Sequence, residues 1–221
     1  MFTKTTRTAS NAARLSAVLS AVALAGLASN THAAITGTSG SCTFLASPPL
    51  TALPGALMGP PAYCWNEQTN VNSASTVVNI AANGFYTGTF PYLAAVAGTF
   101  DSHIVHFDAL AGVANVTGSV TFNQNIVAVI YDETLLSVTD ATFGNPGTVY
   151  PTGNFFRSMN SNALGNSWLN IAGNTLSFDL WAFAPANYMS QVRVLTHAVP
   201  TPGSVALLGM GGLAIARRRR N

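Results

Sequence analysis

The sequence predicts an all-β fold, an antiparallel β-sandwich of jelly-roll-like form, and three observations carry that expectation. From Ala74 onward, short apolar runs alternate with turn residues at the roughly 8–12-residue spacing of sandwiches and barrels. No segment of the body keeps a 3.6-residue apolar period over three turns. Charged residues make up only 7% of the chain, while Asn, Thr, Ser and Gly are abundant, which suits an extracellular β protein better than a cytosolic helical one.

Residues 1–33 read as a signal peptide that precedes the fold. Lys4, Arg7 and Arg14 form a positive region without an acid. Leu15 to Leu27 is apolar but too short to span a bilayer comfortably. Thr31-His32-Ala33 then places small residues at the −3 and −1 positions of a cut before Ala34. The Sec translocon and signal peptidase are the partners such a leader implies.

The body spans residues 34–198. Residues 34–73 read as irregular structure rich in Pro and Gly, tied down by a disulfide between Cys42 and Cys64, the only cysteines of the chain. An even pair in an exported segment favours a bridge, worth about 3 kcal/mol by chain entropy. Strands are expected at Ser75–Ala81, Phe85–Phe90, His103–Phe107, Val113–Phe122, Ile126–Tyr131, Phe155–Met159, Trp168–Ile171, Thr175–Phe183 and Met189–Thr196. Asn83-Gly84, Asn145-Pro146-Gly147, Gly153-Asn154 and Gly173-Asn174 punctuate them. In Thr175–Phe183, Leu176, Phe178 and Leu180 share one face and Thr175, Ser177 and Asp179 the other, the mark of a half-buried strand. Ile126 to Ile130 is apolar on both faces, so a central place is expected for it.

The last segment, residues 199–221, pairs a short greasy helix with a charged end. Ser204 to Ala216 rises about 20 Å as a helix against roughly 30 Å of hydrocarbon. Arg217, Arg218, Arg219 and Arg220 follow at once and resist translocation. Between leader and tail only Arg157 and Arg193 remain against seven acids, a formal charge of −5. That balance excludes nucleic acid as a partner, since phosphates demand a basic face.

Val199-Pro200-Thr201-Pro202, then the apolar helix, then the arginine cluster, resembles the PEP-CTERM sorting signal of Gram-negative bacteria. Thr201 stands where that family carries an acid. The resemblance implies an exosortase, a membrane cysteine transpeptidase, as partner. The chain would pass through the inner membrane, held there by its C-terminal helix, and end at the cell surface or outside, often in the biofilm matrix of exopolysaccharide-producing bacteria. The body also resembles secreted proteins bearing this tail, over Asp101–Asp108, Gly118–Phe122, Ile126–Tyr131, Ala141–Gly144 and Val192–Thr196. That second likeness brings no known activity.

Chemistry is sparse. Asp101–Asp108 (DSHIVHFD) is the one dense cluster of titratable groups, yet strand alternation puts His103 and His106 on opposite faces. These polar groups are expected to hydrogen-bond across strand ends; a calcium site through Asp101 or Asp108 with loop carbonyls is the alternative. No serine sits in a Gly-x-Ser-x-Gly turn, and no Gly-rich phosphate loop is present. No catalytic residue, metal site or cofactor is therefore assigned. Arg157 and Arg193 are expected to pair with carboxylates such as Asp140 or Asp179. Trp65 is expected to pack on the disulfide and Trp168 to join the core. Trp181 shares the face of Ser177, Asp179 and Phe183; packing under a second layer is expected for it, with stacking on a sugar ring as the alternative. The leading expectation is a non-enzymatic structural or adhesive surface protein linked to exopolysaccharide. The alternative is a carbohydrate-binding module, with a calcium-dependent form, using Trp181, Asp101 or Asp108.

Overall fold

The computed structural model describes residues 32–87, 92–153, 156–159, 167–184 and 188–199. The leader up to residue 31, and the tail with Pro200, Thr201, Pro202 and Arg217–Arg220, lie outside these. Along the described chain run β1 (Ile35–Gly40), β2 (Cys42–Phe44), β3 (Met58–Gly59), β4 (Ala62–Val78), β5 (Gly84–Thr87), β6 (Ala94–Ala109), β7 (Val113–Phe122) and β8 (Ile126–Ile130). A helix α1 (Glu133–Phe143) follows, then β9 (Trp168–Ala172), β10 (Thr175–Phe183) and β11 (Met189–His197).

Alternation sorts these strands into two sheets. One has the order β1-β7-β10-β9-β5, the other β2-β4-β6-β11-β8, with β3 beside β6. Their inner faces share one core that joins Val116, Val120, Leu169, Leu176, Phe178 and Leu180 to Val105, Phe107, Val129 and Val194. The fold is thus mostly β, as expected, with β7 and β10 at their predicted bounds. The Gly173-Asn174 turn between β9 and β10 has Gly173 at φ 63°, which a two-residue primed hairpin turn requires. Most pairs are antiparallel, but β2 with β4 and β3 with β6 run parallel.

Several expectations need correcting. Residues 34–73 are not irregular: β1 through most of β4 lie there. Ala62, Cys64, Glu67 and Trp65 are buried there on both faces of the sheet, so simple two-residue alternation is missing. The strand expected at 155–159 is absent among the described residues of that stretch, where Ser158 makes only an isolated bridge to Gln191. β8 is an edge strand rather than a central one. Its apolar faces are explained by cover: Val129 enters the inter-sheet core, while Ala128 and Ile130 pack with Leu136 and Phe143 of α1. Ile80 bridges to Val129 along its free edge.

The helix was not expected, and its signals are local. Asp132 caps it, accepting from the Thr134 and Leu135 amides, with Glu133 in the first turn. Leu136, Thr139 and Phe143 form its buried stripe on the outer face of the β6 sheet. Gly144 ends it where any Cβ would meet the Asp140 carbonyl at 2.5 Å.

Cys42 and Cys64 are free thiols, with sulfurs 3.6 Å apart where a bond needs about 2.05 Å. The parallel β2–β4 register sets Phe44 opposite Cys64 and Cys42 opposite Ala62, so the thiols meet diagonally in hydrogen-bonding contact. The hydrogen bond with Cys42, and then burial, push the Cys64 thiol far up, holding it protonated. Trp65 does not pack on this pair: it points the other way, onto Ala52, Ile104 and His106.

Candidate functional site

The Asp101–Asp108 cluster is split, as alternation requires. β6 is buried along this whole stretch, between the opposite sheet and the α1 side. His103 enters the core against Phe122, ring centroids 4.7 Å apart. Asn66 Oδ1 already accepts from the Ile35 amide, so His103 Nδ1 donates to that oxygen at 2.8 Å and Nε2 accepts from Thr196. Burial drives its pKa down to about 3. Asp101, fully buried at the other end, accepts from the Ala33 and Asn70 amides at 2.6 Å each. Asn70 holds the left-handed φ of 57° that this contact needs. Asp108 accepts from the Gly55 amide at 2.5 Å, and burial raises its pKa against that bond.

His106 belongs to a buried polar network on the outer face. Arg157 donates through Nε to Gln191 Oε1, so the Gln191 amide donates to His106 Nδ1 at 2.8 Å and the ring proton sits on Nε2. Burial, helped by Arg157, takes the pKa of His106 down to about 3. Arg157 grips Asp140 with both terminal nitrogens, at 2.5 and 2.7 Å. Arg193 joins the same carboxylate at 2.9 Å and holds Glu67 at 2.7 and 3.0 Å. Burial alone would raise the pKa of Asp140, but the two guanidiniums outweigh it and hold it low. Tyr150 lies beneath both arginines, 5.7 and 5.6 Å from its ring centre. Two cations and two anions close on one another in a neutral knot, and neither arginine is exposed.

This geometry leaves little room for catalysis at the predicted residues. Both histidines are neutral and sealed from solvent. The pocket of about 380 Å³ beside α1 is lined by Ser137, Asp140, Asn145, Tyr150 and Thr152 among others. Thr152 donates to Asp140 and the Gly153 amide to Ser137, so these polar groups are already engaged. Among the described residues no three His, Cys, Asp or Glu side chains gather closely enough to hold a metal ion. Asp101 lies midway along β6 and Asp108 near its C-terminal end, in the other sheet from Trp181; the structure does not unite these three candidates.

A surface the sequence reading undervalued is the outer face of the β10 sheet. Register aligns Phe85, Asn170, Ser177, Ser119 and Ser39 in one row across all five strands. The next row holds Thr87, Trp168, Asp179 and Thr117, and the one beyond it Trp181 and Asn115. Trp168 is half-buried rather than core, and its ring lies 5.4 Å from that of Phe85, tilted 31°. Leu169 and Ile171 take the inner positions of β9, so Trp168 falls on the side of Asn170; that alternation was readable. Phe85 is 61% exposed. Cross-strand bonds fix the polar groups: Ser39 to Ser119 at 2.8 Å, Thr121 to Thr175 at 3.3 Å, and Asn115 to Asp179 at 3.2 Å. Asp179 thus pairs with Asn115 rather than with an arginine.

Comparison with protein families, with curated proteins and with solved structures gave no match.

Proposed function

We propose that this chain is an exported surface or matrix protein of a Gram-negative bacterium, sorted by an exosortase, with a non-enzymatic structural or adhesive role linked to exopolysaccharide. The observation that carries the reading is the order of its C-terminal parts: Pro200-Thr201-Pro202, an apolar helix too short to be comfortable, then Arg217–Arg220. Its support from the fold is that the compact unit, His32–Val199, meets leader and tail close to the boundaries read from the sequence. A jelly-roll-like sandwich between a signal helix and a single transmembrane helix belongs to the same proposal. A β body whose two arginines and whose β6 histidines, His103 and His106, are committed internally suits a scaffold better than a catalyst. The calcium-dependent form of the alternative loses ground, because Asp101 and Asp108 already serve backbone amides.

The test is fractionation of the native host with mass spectrometry of the mature termini. The expected species lies outside the inner membrane, begins at Ala34 and lacks Arg217–Arg220. A cytosolic protein with an intact arginine end, or a reporter fused after Val199 that stays inside the cell, overturns the reading.

A further inference from the structure

We infer that the outer face of the β10 sheet is a binding platform for a neutral polysaccharide chain, with Trp168 and Phe85 as its stacking floor. A pyranose ring carries its C–H bonds on flat faces and its hydroxyls around the rim. The electron-rich face of an aromatic ring takes the first, and amides and hydroxyls take the second. This face offers both within one pair of rows. Trp168 and Phe85 form a shallow apolar step, and Asn170 and Ser177 continue the Phe85 row inward. Asp179 and Thr117 continue the Trp168 row.

Charge decides the class of polymer. The described cations of the body, Arg157 and Arg193, are buried in ion pairs on the other sheet. Asp179 is the charged group within these two rows, on a body of formal charge −5. A polyanion would be repelled with nothing to hold it, whereas a neutral glycan meets donors and acceptors only. Ser39, Ser119, Asn115 and Asp179 are held by cross-strand bonds, so these side chains lose little rotamer freedom on binding. Side chains within each row stand one strand apart, about 4.8 Å, and offer an extended chain several similar contacts rather than one pocket.

The platform deepens the adhesive role proposed above and rests on it only for where the glycan is met. Its test is independent of export. The full chain, recovered from an exporting host, is run in native affinity gels containing soluble β-glucan, galactomannan or glycol chitin, with alginate as the polyanion. Retardation by at least one neutral polymer, none by alginate, and a roughly tenfold weaker effect in Trp168→Ala and Phe85→Ala with unchanged melting temperature are expected. Thr36→Ala, off these rows, keeps wild-type retention. No retardation by any neutral polymer, or retardation indifferent to both aromatic substitutions, overturns the inference. So does a dimer in sedimentation that Trp168→Ala dissolves, since the face would then belong to a second copy. None of these outcomes moves the mature termini, so failure here leaves the sorting assignment to its own experiment.

Discussion

At the scale of single residues, the two β6 histidines, His103 and His106, couple stability to acidity. Each is neutral when folded, with a pKa of about 3, and returns to about 6.5 when unfolded. Below 6.5 the unfolded chain therefore binds protons the folded one refuses, and stability falls as pH drops toward 3. The loss is about 1.4 kcal/mol per pH unit for each histidine. Asp108, Glu133 and Asp179, raised by burial, act in the opposite sense but nearer the carboxylate range. Urea titrations at pH 7 and pH 5.5 isolate the histidines, and His106→Gln should roughly halve the difference; equal stability at both pH values would refute the assignment. Asp101 is the other decisive residue. Asp101→Ala leaves the Asn70 amide, and in the uncleaved chain the Ala33 amide, without an acceptor, a loss of about 1–3 kcal/mol measurable in the same titration. The separation of His103 from His106 was legible in the sequence, because alternation is local. Their partners were not: Asn66, Thr196 and Gln191 arrive from other strands, and only register brings them.

At the scale of elements, α1 shows what periodicity misses. Its eleven residues include three threonines, a serine and a valine, so propensity is poor and only Leu136, Thr139 and Phe143 mark the buried side. The sequence did contain its N-cap, Asp132, and its stop, Gly144. Two aspartates of this region separate local from tertiary contributions. Asp132→Ala should cost about 1 kcal/mol, the value of a cap. Asp140→Ala leaves Arg157 and Arg193 buried with one carboxylate, Glu67, between them. It should cost about 3–5 kcal/mol. Comparable losses in denaturant melts of the two variants would mean that the ion-pair network contributes no more than a helix end. β9 and β10 were the most legible elements, since a Gly-Asn turn and strict alternation agree there. β4 was the least, because its side chains are buried on both faces.

At the scale of the whole molecule, two sheets and a helix enclose three apolar clusters, and reactive groups are shut inside them. Cys42 and Cys64 illustrate this. Iodoacetamide should leave the native protein unmodified and add two carbamidomethyl groups once it is unfolded, read by intact mass; rapid labelling of the native protein would contradict the buried thiol pair. Ala33, the last residue ahead of the expected cut, is 1% exposed and supplies an amide to Asp101. A scissile bond seated there is out of reach once the strands have closed around it. On the export route proposed above, leader removal and closure of the sandwich would therefore compete in time: a peptidase that arrives late would find a sealed seam, so trimming is expected while the chain still threads through the membrane.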